Sequence, residues 1–176
     1  MTPIGSRNSS EVRQSEAMTE TTSAVAPSTY ADAVVVGYDG SDDSNRAVRW
    51  AHADAGRRGA RLVVVRAWSL KTAPRPKGHD LSYVPSEDEF TAAVRDALTT
   101  DLAGVLGSGA TAEVVPLALH RPAEEALVEA SRHAAVTVVG ARGSGLARWL
   151  GSVSASVVRQ AHGPVVVVPQ DGERGT

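Results

Sequence analysis

The chain contains no cysteine, so disulfides, thiolate nucleophiles and cysteine zinc sites are excluded at once. Aromatic residues are only 4% of the 176 positions, too few for a surface that stacks the bases of a single strand. Lysine is nearly missing as well: Lys71 and Lys77 stand alone, and Arg supplies the remaining basic groups. A formal net charge of −2 lacks the footprint of a general nucleic-acid binder. No apolar run approaches the ~20 residues of a membrane helix, and the first residues have no signal-peptide core. Neither nucleic acid nor a membrane is expected as a partner, and a cytoplasmic location is. His52, His79, His120, His133 and His162 fall on separate elements without metal-ligand spacing. There is no Gly-x-Ser-x-Gly elbow, so a hydrolase triad has no nucleophile position from which to start.

What is present suffices for one domain with a real core, since 42% of the residues are hydrophobic. Residues 1–30, rich in Ser, Thr, Glu and Gln and without a hydrophobic period, read as a disordered leader; Met18 is an alternative start within it. A domain over 31–170 follows, then a polar tail over 171–176. Strands are predicted at 33–37, 62–66, 113–119, 136–139 and 165–168, the third at a sheet edge because of Pro116. Helices are predicted over 42–57, 86–106, from Pro122 onward, and 152–162. The second strand and second helix are joined by a long irregular connection, 69–86. Alternation of this kind calls for an α/β domain, a doubly wound parallel sheet with helices on both faces.

The most informative stretch is Val136–Val139, the turn Gly140-Ala-Arg-Gly143, and the helix start Gly151-Ser-Val-Ser154. A strand, a glycine-rich loop and a helix N-terminus make a natural seat for phosphate. If strands 1 and 4 adjoin at the switch point, Gly37-Tyr38-Asp39 faces the same crevice. Asp39 then has two readings, a contact to ribose or to a phosphate-bridging Mg²⁺, and a turn residue that caps the following helix. Neither a P-loop nor a dinucleotide fingerprint fits: Leu146-Ala147 stands where Lys-Ser/Thr is required, and Arg148 where the third glycine belongs. Arg142 and Arg148 are alternatively phosphate partners or solvated loop residues. Trp68 is a candidate wall of a base pocket or plain packing, and Trp50 and Trp149 read as core or contact residues.

Val36-Gly-Tyr-Asp-Gly-Ser41, Val139-Gly-Ala-Arg-Gly143, Gly151-Ser-Val-Ser154 and Gly163-Pro-Val-Val-Val-Val-Pro169 together resemble the universal stress protein family, over about residues 31–169. The resemblance implies a five-stranded parallel sheet in the order 3-2-1-4-5, and a homodimer through the edge of strand 5 (Val165, Val166, Val167, Val168). It implies ATP, with Mg, as the ligand. The family's Gly-x2-Gly-x9-Gly-Ser/Thr pattern matches at Gly140, Gly143, Gly151 and Ser152, with Val153 and Ser154 following. By the same resemblance Asp39 lies near ribose and phosphates, Ala67 by the adenine, and Val139 along the pocket. Two departures stand out. Seven residues separate Gly143 from Gly151 where the pattern has nine, and His120-Arg121-Pro122 replaces a frequent Gly-x-Pro. The expected function is ATP-binding stress regulation; the alternative is a dimeric interaction protein of the same fold without nucleotide. No residue is placed as a strong general base, so catalysis is at most slow hydrolysis or autophosphorylation by family analogy.

Overall fold

The computed structural model describes residues 25–78, 82–108, 111–141 and 150–170. Most of the expected leader, His79, Arg142, Gly143, Arg148, Trp149 and the tail over 171–176 lie outside the described residues.

Ten elements follow in chain order: α1 (Pro27–Tyr30), β1 (Val34–Gly37), α2 (Asp42–Arg58), β2 (Leu62–Ala67), α3 (Glu87–Leu106), β3 (Val114–Leu119), α4 (Ala123–Ala130), β4 (Val136–Gly140), α5 (Ser152–Gln160) and β5 (Val165–Val168). The strands form one parallel sheet in the order β3-β2-β1-β4-β5, as the resemblance implies. Pro116 sits in β3, where a missing N–H is tolerated because only one side of the strand is paired.

Apolar residues on both faces of the sheet require cover on both faces. Val34, Val36, Leu62 and Val64 pack with α2 and α3, through Ala47, Val48, Ala51, Leu98 and Leu102. Val35, Val63, Val65 and Val139 pack on the other side with Ala126, Leu127 and Val157 of α4 and α5. The helices also carry their own stop signals. Ser41 caps α2 and Gly59 ends it at φ 64°, the left-handed conformation that glycine adopts without penalty. Ser86 and Glu89 close a reciprocal capping box on α3.

Two boundaries differ from expectation. The leader was expected through residue 30, yet Pro27–Tyr30 form a helical turn whose Tyr30 is buried in the α4/α5-side core. That burial pushes the Tyr30 phenol up to about 12. One aromatic ring in a polar run produces no period, so sequence pattern alone does not show it. α5 ends at Gln160, two residues early, because the His162 N–H is taken by the Ser131 hydroxyl (2.9 Å) and Ala161 is extended.

Candidate functional site

β1 and β4 are neighbours, with Val36 opposite Val138, so their carboxyl ends open on one crevice at the switch point. On the β1 side the turn is held by its own side chains. The Ser41 backbone N–H and hydroxyl both donate to Asp39 Oδ1, at 3.0 and 2.6 Å, across Gly40 at φ 85°. The Ser41 hydroxyl oxygen in turn accepts from the Ser44 N–H at 3.2 Å. Asp39 thus supports the capping Ser41, and the residue is exposed at the crevice. Tyr38 turns its ring into the α2/α3 core, beneath the Arg66 guanidinium. Burial, with Asp101 nearby, raises its phenol. Its side chain therefore belongs to the core, and its backbone is what remains for the crevice.

The two strand-end glycines answer to helices. A Cβ on Gly37 would lie 2.8 Å from Leu127 Cδ1 of α4, and one on Gly140 would lie 3.0 Å from the Asp43 backbone C and O of α2. In both places the missing Cβ leaves room for a crossing helix.

On the β4 side, the Ala141 N–H donates to the Val168 carbonyl, and the Gly151 N–H donates to the Ala141 carbonyl at 2.8 Å. The Ser154 hydroxyl is buried and donates to the Gly140 carbonyl at 2.7 Å. These bonds fasten the start of α5 directly to the end of β4, with the short spacing in place. Gly151 offers no side-chain cap, and no acid stands in the first turn of α5. By contrast Asp42 and Asp43, Glu87, Asp88 and Glu89, and Glu124 and Glu125 stand at the starts of α2, α3 and α4. Among the described residues, α5 is the one helix of eight residues or more with no acid in its first turn. Ser152 is exposed there and Val153 half-buried. Val139 is buried beneath, at 3% exposure.

One strand further along the sheet, Ala67 ends β2 and lines an open cavity of about 490 Å³ with Trp68, Ser69, Thr72, His120 and Arg121. Trp68 is buried against Phe90, Val94 and Ala118, which answers for packing, and His120 stacks on it with ring centroids 4.1 Å apart. His120, Arg121, Ser69 and Thr72 were not expected here; the departure from Gly-x-Pro was the available signal. Among the described residues no three His, Asp or Glu side chains cluster as a metal site, and no helix is long and apolar enough to cross a membrane. β5 is an edge strand paired to β4 alone, its four valines half-buried.

Residues 31–169 match the model of the universal stress protein family. A universal stress protein of Mycobacterium tuberculosis is 34% identical over 152 residues, which are 78% of this chain and 48% of that protein. The chain thus spans about half the length of the curated relatives it matches. Among solved structures, a universal stress protein in complex with cAMP is 27% identical with a TM-score of 0.55, covering 79% of this chain and 98% of that one. One from Archaeoglobus fulgidus in complex with dAMP is 26% identical with a TM-score of 0.54, covering 77% and 96%.

Proposed function

The chain belongs to the universal stress protein family, and from that premise we propose that it is an ATP-binding regulatory protein of the stress response. The observation that carries this reading is the bare first turn of α5, fastened at the mouth of β4. Unspent N–H groups and the helix dipole favour an anion there, whereas the acids at the other helix starts repel one. From the end of β2 to the end of β4 is two strand spacings, about 10 Å. A base beside Ala67 and phosphates beside Gly151, Ser152, Val153 and Ser154 suit one extended nucleotide. The relatives solved with cAMP and dAMP support adenine as its base.

In this reading Gly37 and Tyr38 border the ligand through backbone, Asp39 meets the ribose or the Mg²⁺ that accompanies the triphosphate, and Val139 forms the floor. Gly140 and Gly143 bracket the phosphate loop. Mg²⁺ would neutralise phosphate charge and is held mainly by the nucleotide. Regulation follows from differential affinity of two states for ATP, with no chemistry required. A homodimer through the β5 edge (Val165–Val168) in the cytoplasm completes the reading. The seven-residue spacing, the feature favouring a protein without nucleotide, does not withdraw the helix start from β4.

The test is calorimetric titration of ATP, with and without Mg²⁺, into the full chain and into Ser152→Glu. Residue 152 is exposed, so the new carboxylate repels phosphate without disturbing the core. Micromolar binding by the unaltered chain and at least a tenfold loss in the variant are expected. At ~100 times its dissociation constant ATP also stabilises the fold by about 2.7 kcal/mol, read as a thermal shift. No heat at millimolar ATP, from protein with native circular dichroism, overturns the reading.

A further inference from the structure

We propose that His120 reads the nucleobase, accepting a hydrogen bond through Nε2 from an exocyclic amino group and so favouring adenine over guanine. The inference rests on the nucleotide reading above and concerns a residue outside the matched glycine motif.

Strand register sets the position. Ala67 of β2 lies opposite Leu119 of β3. The Leu119 carbonyl accepts from both the Trp68 N–H (2.8 Å) and the Arg121 N–H (3.0 Å). That doubled bond folds the chain sharply after β3 and sets His120 on the rim of the cavity that Ala67 also lines. Two contacts then define the imidazole. Trp68 fixes its plane, the rings stacked at 14°, and Trp68 is itself locked by Phe90, Val94 and Ala118. The Glu87 carboxylate of α3 fixes its tautomer from 3.2 Å, at Nδ1. A carboxylate only accepts, so Nδ1 carries the proton, and Nε2 of the neutral ring is an acceptor. Glu87 does not line the cavity whereas His120 does, which leaves Nε2 as the ring's polar atom for a ligand. Adenine presents an amino donor to such an atom. Guanine presents a carbonyl at the same ring position, lone pair against lone pair.

The experiment titrates ATP and GTP separately into the full chain, His120→Ala, His120→Phe and Glu87→Gln. One hydrogen bond of this kind corresponds to about a tenfold preference. The unaltered chain is expected to favour ATP by about that factor, and both His120 variants to bring the ratio within about twofold by weakening ATP. Glu87→Gln, which releases the tautomer, falls between. His120→Phe keeps the stack on Trp68 and decides the matter if His120→Ala loses its fold by circular dichroism. An equal ratio in the unaltered chain and a folded His120 variant overturns this inference and leaves the nucleotide reading standing. An unaltered chain that binds neither nucleotide overturns both.

Discussion

The starts of α2 and α5 stand at adjacent strand ends and are finished in opposite ways. α2 carries its own side-chain cap and its own acids. Ser41 caps it, Asp39 supports Ser41, and Asp42 and Asp43 compensate its dipole. α5 is fastened from behind, through Gly151 to Ala141 and Ser154 to Gly140, and among the described residues no side chain caps it. Asp39 and Ser41 bond within the turn and Asp43 holds Arg46 and Gln170, whereas the bonds from Gly151 and Ser154 set the position of α5. The nucleotide proposed above would supply an external acceptor at that helix start. Asp39, a site residue by motif, also holds Ser41 in the turn.

Substitutions separate the two ends. The largest effect is expected at Gly140→Val. The added Cβ meets the α2 backbone at 3.0 Å, and backbone cannot swing aside. A loss of about 3 kcal/mol or more in urea unfolding is expected, against about 1 kcal/mol for Gly37→Ala, where only the far end of Leu127 must yield. Equal losses would show that α2 is not seated on β4 as described. Next is Ser154→Ala, which removes the fastening of α5. It is expected to lower stability by about 1.5 kcal/mol and to weaken ATP as well. Ser41→Ala removes the cap of α2 for about 1 kcal/mol and leaves ATP affinity within twofold; a matching loss of affinity would erase the contrast.

The smallest effect is at the far end of α2. Burial raises the Asp54 carboxyl, but hydrogen bonds and charge from Arg58 and Arg57 outweigh it and hold it below the usual carboxylate range. A group lowered on folding adds stability that is present above its unfolded value, about 3.9, and lost as pH falls through its folded one. Acid unfolding below about pH 4 is therefore expected to be shallower in Asp54→Asn, as followed by circular dichroism.

The order of strands and helices was legible because apolar periodicity and capping signals are local. Val34–Gly37 and Leu62–Ala67 announce buried strands, and Pro116 an edge. Strand order itself came through the family motifs, since nothing local says that β1 pairs with β4. Three features escaped for physical reasons. Gly37 and Gly140 look alike as ligand glycines and packing glycines, because both uses need the same missing Cβ. Ser154 is an ordinary helix-start serine until Gly140 is known to lie 2.7 Å away. His120 stacks on a tryptophan of another strand, a meeting that only the fold creates.

The bond from Gly151 to Ala141 has one more consequence, for evolution. It joins the two stems of the intervening segment, so the frame no longer depends on how much chain runs between them. By loop-closure entropy, adding two residues to the nine between Ala141 and Gly151 costs only about 0.2 kcal/mol. Such a segment is an exchangeable cassette, in which insertions and deletions are nearly neutral for folding.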